Sequence, residues 1–148
     1  MKKIFIWSLL IFILFNFDSI AKDTFLSIKK NKVNVRYGPG FDYPIKYIYK
    51  KINLPVRLID KKENFRRIID LKRNTGWVHV SQLKKSNSII ILKNKILFKK
   101  PSNFSTPILR LEKGRLLIIK KCQNNWCKIK TDNYLGWIKK DNIWGYTN

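Results

Sequence analysis

Asn64-Phe65-Arg66-Arg67-Ile68 leads to Gly76-Trp77-Val78, and Asn125-Trp126-Cys127-Lys128-Ile129 leads to Gly136-Trp137-Ile138. Both stretches run from a turn residue to an aromatic, through a short strand and a polar gap, to Gly-Trp and a β-branched residue. Self-similarity of this kind marks a unit used in tandem, and it has to be settled before any element is assigned. Further echoes extend it: Pro44-Ile45 returns as Pro107-Ile108, and Ser81-Gln82-Leu83 has its counterpart in Asp141-Asn142-Ile143. The duplication predicts two small all-β modules.

Working outward, Val33-Asn34-Val35-Arg36-Tyr37 alternates with period two, the pattern of a half-buried strand, and Gly38-Pro39-Gly40 ends it. Phe41 to Tyr49 is too aromatic for a linker and too punctuated by Gly and Pro for a helix, so it reads as an ordered loop returning as a strand. Strands follow at 54–59, 65–70 and 76–80, with turns at 60–64 and 71–75 and one helical turn at Ser81-Gln82-Leu83. The second unit has strands at 89–92, 96–98, 108–111, 115–121, 126–130 and 136–139, with a long loop at 99–107. Short strands at this spacing predict a small barrel or sandwich. The modules span 24–84 and 89–146, and the polar stretch around 85–88 reads as the hinge. A unit of about 60 residues buries only about 60% of its unfolded surface, so each is marginal alone. Ile89-Ile90-Ile91-Leu92, apolar on both faces, is expected where the modules pack together.

The beginning of the chain has a different character. Lys2 and Lys3 precede an apolar run from Ile4 to Phe15 and then Ser19-Ile20-Ala21, the pattern of a secretory signal peptide over 1–21, cut after Ala21. The rival reading is a retained anchor, but the run is shorter than the roughly 20 residues that span a bilayer. No cysteine adjoins the cut, which argues against a lipid-modified N-terminus. The expected location is periplasmic or secreted.

Cleavage would remove Lys2, Lys3 and Asp18, taking the formal charge from +23 to +22. Charge of this sign draws a protein toward anionic polymers, lipid phosphates or nucleic acid without choosing among them. Part of it has a blander origin, since Lys, Ile and Asn, which share adenine- and thymine-rich codons, make up 61 of the 148 residues. Arg, the better residue for bidentate phosphate or base contacts, occurs seven times. With an export signal also present, nucleic acid is disfavoured as a partner, and an anionic envelope polymer remains in play.

Cys122 and Cys127 flank Gln123-Asn124-Asn125-Trp126, where the Asn pair favours a tight turn. If strands flank that turn, the cysteines face each other across a hairpin within disulfide reach, and an exported chain permits oxidation. Zinc is a weaker alternative, because a tetrahedral site wants three or four ligands and the chain offers these thiols and one histidine. A nucleophilic cysteine would need a basic partner, and His79 lies in the other unit. The nine acidic residues are scattered, which gives paired-carboxylate chemistry no support. No cofactor is expected.

Val33-Asn34-Val35-Arg36-Tyr37-Gly38-Pro39-Gly40 followed by Tyr43-Pro44-Ile45, and the closing Gly76-Trp77-Val78-His79-Val80-Ser81-Gln82-Leu83, resembles the bacterial SH3-like domains. The second unit resembles the partner module of the tandem periplasmic form, with its Cys-turn-Trp-Cys hairpin, Gly136-Trp137-Ile138 and Asp141-Asn142-Ile143-Trp144-Gly145-Tyr146. It departs from the family in its first loop, where Ile96-Leu97-Phe98-Lys99-Lys100-Pro101 stands in place of the N-[VL]-R-x-G-P motif. The resemblance implies open barrels of five to six strands, no enzymatic activity, an envelope location and binding of wall peptides.

In a barrel of that kind Tyr37, Tyr43, Tyr47 and Tyr49 would meet Trp77 and His79 as an aromatic groove for an extended peptide, with Asp42 placed to meet an amine. The bland alternative is that these aromatics fill the core between small residues such as Val33, Val35, Val78 and Val80. Trp77 and Trp137, each behind a glycine, and Phe65 and Trp126, at equivalent turn exits, fit that alternative. Trp144-Gly145-Tyr146 is expected to cover an open sheet edge, with a membrane-interface role beside Lys139 and Lys140 as its rival. The sequence therefore points to a non-catalytic exported binding module for a wall peptide or another envelope component. A structural or assembly protein of the envelope is the second reading, and a hydrolase has the least support.

Overall fold

Val33 and Val35 are buried while Asn34 and Arg36 are half-buried, so the alternation read from the sequence is the alternation of a strand with one face on a core. The protein is described here as a computed structural model covering residues 23–146; the expected signal at 1–21 lies outside the described residues. Among the described residues, fourteen strands account for most of the fold. The first seven are β1 (Phe25–Ile28), β2 (Val33–Arg36), β3 (Ile45–Tyr49), β4 (Pro55–Lys62), β5 (Phe65–Ile69), β6 (Thr75–His79) and β7 (Leu83–Lys85). The second seven are β8 (Ser88–Ile91), β9 (Lys95–Phe98), β10 (Pro107–Leu111), β11 (Leu116–Gln123), β12 (Trp126–Thr131), β13 (Tyr134–Lys139) and β14 (Ile143–Gly145).

The duplication is carried into topology. One antiparallel sheet has the order β3-β2-β6-β5-β4-β1-β7, and the other has β10-β9-β13-β12-β11-β8-β14, the same order shifted by seven. Register irregularities also recur, between Leu58 and Asp60 in one module and between Ile119 and Lys121 in the other. Each module has its own core: Ile28, Val33, Val35, Val56, Ile68 and Val78 in the first, Ile89, Leu97, Leu111, Leu117, Ile129 and Ile138 in the second. Seven strands per module exceed the five to six implied by the resemblance. The extra pairings come from β7 on β1 and β14 on β8; the sequence reading places Lys85 in the hinge and gives Trp144-Gly145 as cover for an open edge, without assigning either as a strand.

Gly76 and Gly136 lie where strands cross at close range. A Cβ on Gly76 would sit 2.3 Å from Val35 Cγ1, and one on Gly136 would sit 2.7 Å from Leu97 Cγ. The absence of a side chain there lets β6 approach β2, and β13 approach β9, so that Arg36 pairs with Trp77 and Phe98 with Trp137.

The stretch 60–64, expected as a turn, is mostly strand. β4 continues to Lys62 and the hairpin closes on the two residues Glu63 and Asn64. Its counterpart closes on Asn124 and Asn125, placing Cys122 opposite Cys127, and the two form the expected disulfide. In the chain-entropy account so short a loop contributes about 2 kcal/mol. Glu63 has φ 47° and Asn124 φ 50°, the left-handed region that asparagine tolerates better than glutamate.

The hinge expected around 85–88 is reduced to Ser86 and Asn87, because Lys84 and Lys85 belong to β7 and Ser88 to β8. Ser86 and Ser88 are buried and face a serine of the first module instead of solvent. Ser27 Oγ lies 3.1 Å from Ser86 Oγ and 2.7 Å from Ser88 Oγ, and Ser88 Oγ donates to the Asn53 carbonyl at 2.6 Å. The apolar run meets its expectation: Ile89 and Ile91 enter the second core, while Ile90 on the opposite face turns toward the first module. β14 covers the edge of β8, and Trp144 reaches across the seam, its indole N–H donating to the Pro55 carbonyl at 3.1 Å.

Two outcomes are expected. Glu63→Asn should raise stability by up to about 1 kcal/mol; a urea midpoint unchanged or lower would show that the left-handed backbone there stores no strain. Trp144→Ala should speed proteolytic cutting at Ser86-Asn87 relative to the parent protein, and equal rates would show that the indole does not hold the seam.

Candidate functional site

Of the six residues singled out from the sequence, strand alternation divides the three that lie on strands, Tyr47, Trp77 and His79. On β6, Trp77 and His79 point to the outer face, opposite the buried Gly76 and Val78. On β3, Lys46 lies on the outer face and Tyr47 and Tyr49 on the other, where both pack with the first core. Tyr47 is therefore separated from Trp77 by the sheet itself.

The outer face of the first module carries a cleft of about 200 Å³ lined by Arg36, Tyr37, Lys46, Arg67, Thr75, Gly76 and Trp77. Its shape depends on Arg36. The guanidinium donates to the carbonyls of Phe41 at 3.1 Å and Tyr43 at 2.7 Å, and lies 5.6 Å from the Phe41 ring centroid. One side chain thus ties the long loop to β2. Tyr37 is exposed, with Lys46 Nζ 5.5 Å from its ring centroid, and Lys46 is steadied by donating to the Thr75 carbonyl at 3.0 Å. Three cations and two aromatics around a small cleft suit an anionic group attached to something flat or apolar.

The remaining predicted residues sit elsewhere. Tyr43 lays its ring over Gly38, where a Cβ would come within 2.3 Å of it. Asp42 is exposed on the loop. His79 accepts at Nδ1 from the Ser81 backbone N–H, capping the single helical turn Val80–Gln82. Its ring is flanked by Phe41 and Phe65 at 5.1 and 5.2 Å, so it belongs to an aromatic cluster that supports the loop. The structure brings Tyr37 and Trp77 together and leaves Asp42, Tyr43, Tyr47 and His79 in other surroundings.

Tyr47 belongs to a second place that sequence reading missed. A cavity of about 680 Å³ opens between the modules, lined from the first by Tyr47, Tyr49, Leu54, Asp70, Asn74 and their neighbours, and from the second by Ile90 and Gly114. Tyr49 donates to Asp70 Oδ2 at 3.1 Å, and the Tyr47 hydroxyl lies 3.3 Å from that of Tyr49. Asp70, only 6% exposed, also accepts from the backbone N–H of Asn74 and from its side-chain amide, both at 2.9 Å. Burial pushes the Tyr49 phenol far above its ordinary value, with Tyr47 and the Asp70 carboxylate adding to it. Burial raises Tyr47 as well. A clue was present in Asp70-Leu71-Lys72-Arg73-Asn74, an acid positioned to staple a turn.

The second module has no equivalent of the arginine clamp among its described residues. Phe98 takes the place of Arg36 and meets Trp126 edge-on at 5.7 Å. Its long loop is held by serines, Ser105 Oγ accepting from the Lys100 N–H and Ser102 Oγ from the Phe104 N–H, and leaves Phe104 fully exposed. Trp137 is buried at 7% exposure, as its place behind Gly136 foretold, whereas Trp77 is half-buried and lines the outer cleft.

Two small antiparallel modules of identical strand order, each closed by a Gly-Trp strand, define a tandem SH3-like protein. The chain belongs to the bacterial SH3 domain family, whose model matches residues 29–85 and again 93–145. Bacterial SH3 domains are binding modules, often directed at cell-wall components. No curated protein is significantly similar to the chain. Among solved structures it is similar to NlpC2 and NlpC1 from Trichomonas vaginalis, each at 14% identity with a TM-score of 0.39. Those matches cover 84% of this chain but 48% and 46% of the two proteins, so it spans less than half of either. A likeness that distant says nothing about activity.

The tyrosine pair gives a pH dependence. Its phenols titrate near pH 10 in the unfolded chain and higher in the folded one, so above pH 10 the unfolded state loses protons first and folding weakens. Urea midpoints should be insensitive to this pair below pH 10 and fall above it, and Tyr49→Phe should flatten that fall. Parallel curves for the two proteins would refute the assignment.

Proposed function

We propose that this protein is a non-catalytic, exported binding module that holds a cell-wall peptide or another envelope component in the outer cleft of its first module. The observation that carries this reading is the preorganised cleft itself. Arg36 fixes the loop before any ligand arrives, so less ordering remains for the binding step, and Tyr37 and Trp77 supply flat apolar area among Arg36, Lys46 and Arg67. The surplus of positive charge adds long-range attraction to anionic wall material, an effect that salt screens. Family membership supports a binding role, and the signal-like stretch before Lys22 supports export.

Fully exposed Phe104, on its serine-held loop, favours a second reading in which the chain acts as an assembly protein that docks on another envelope protein. One stoichiometric partner recovered from envelope extract, with no affinity for purified wall, would support that reading over the first.

Co-sedimentation with purified peptidoglycan across a salt series tests the main reading. Tyr37→Ala should lower affinity on the order of tenfold at every salt concentration, as removal of a central aromatic does. Lys113→Ala, at an exposed position in the second module, should matter only at low salt. Equal losses from the two variants would reduce wall binding to charge alone.

A further inference from the structure

The cavity between the modules offers a different chemistry from the outer cleft. Its hydroxyls and amides donate inward in series. Tyr49 gives its proton to Asp70, so the Tyr47 hydroxyl, 3.3 Å away, is the donor to Tyr49, and Asn74 donates to the same carboxylate through both backbone and side chain. What the network leaves open is acceptor capacity, on Tyr47 Oη and on Oδ1 of Asp70, which takes one bond where Oδ2 takes two; both residues line the cavity. The complement of that is a donor, and best a cation. At the rim the sign reverses, because Lys51 and Lys72 stand exposed beside the opening. Leu54 and Leu71 from the first module and Ile90 from the second add apolar wall to the same cavity. A volume of about 680 Å³ lies within the range of sites that enclose a small ligand.

We infer that this cavity is a second binding site, for a short zwitterionic peptide or apolar amino acid whose ammonium meets the Tyr47-Asp70 end and whose carboxylate meets Lys51 and Lys72. It shares no lining residue with the outer cleft and stands independently of it. Because Ile90 and Gly114 come from the second module, the ligand touches both modules at once and binds only their docked arrangement.

Titration calorimetry of the full chain with the dipeptide Ala-Leu tests the assignment, beside the same dipeptide N-acetylated or C-amidated. Free Ala-Leu should bind, and acetylation and amidation should each weaken binding by about tenfold or more, as loss of a charge-assisted contact does. Ile90→Trp, which fills the cavity from the second module, should weaken Ala-Leu by at least as much while the circular dichroism spectrum is retained. Three results would each overturn the site. They are equal affinity for the free and acetylated dipeptides, no binding of Ala-Leu at about 10 mM, a weak limit for so small a ligand, or loss of its binding in Tyr37→Ala in place of Ile90→Trp. The three ligands are compared on the unaltered protein, so the outcome is decisive even if the variant folds poorly. Wall sedimentation that fails while Ala-Leu binds would sink the outer cleft and leave this site standing.

Discussion

Trp144, on the last strand of the second module, donates its indole N–H to the Pro55 carbonyl of the first, meets Phe25 edge-on at 5.0 Å and lies under the Arg57 guanidinium at 5.9 Å. Beside it the hydroxyls of Ser27, Ser86 and Ser88 close a buried polar contact where the chain passes from one module to the other. Units of this size bury too little apolar surface to be comfortably stable alone. Docking adds burial for Ile90 and Ser27, and it also creates the cavity under β3, which neither module encloses by itself. Stability and the second site therefore depend on the same seam.

Within each module the controlling constraint is the approach of the Gly-Trp strand to the first hairpin. The same geometry serves both copies, since Gly76 and Gly136 meet equivalent neighbours and the tryptophan after each pairs with the last residue of the second strand of its module. Divergence enters at that paired position. Arginine there fastens a loop by its carbonyls and leaves a cationic cleft, while phenylalanine there packs on Trp126 and leaves the loop to its own serines. At this position the duplicated frame differs between a loop fastened by a guanidinium and a loop held by its own serines.

Much of the fold was legible because its signals are local. The period-two runs and the Asn-Asn turn between the cysteines each concern residues a few positions apart, and the internal echoes match short local patterns about sixty positions apart; they reappear as strands, a hairpin disulfide and a repeated strand order. The elements that differ from expectation do so for two reasons. Lys84-Lys85 and Trp144-Gly145 are too short to announce themselves as strands and acquire that state by pairing with β1 and β8. The hairpin ending at Lys62 carries charged residues that resemble a turn, yet its exposed face tolerates them.

The aromatic residues divide along the same line. Composition and spacing determined that the chain would be a tandem all-β protein with a Cys122–Cys127 bridge and a positively charged exterior. They did not determine which tyrosines share a surface. Tyr37 and Tyr47 are ten positions apart and look alike in sequence, but the pleat of β3 sends Tyr47 inward toward Tyr49 and Asp70, while Tyr37 remains outside beside Trp77. That separation, and the joining of Tyr47 to Ile90 across the seam, arise from contacts between residues distant in the chain, which only the packed structure decides.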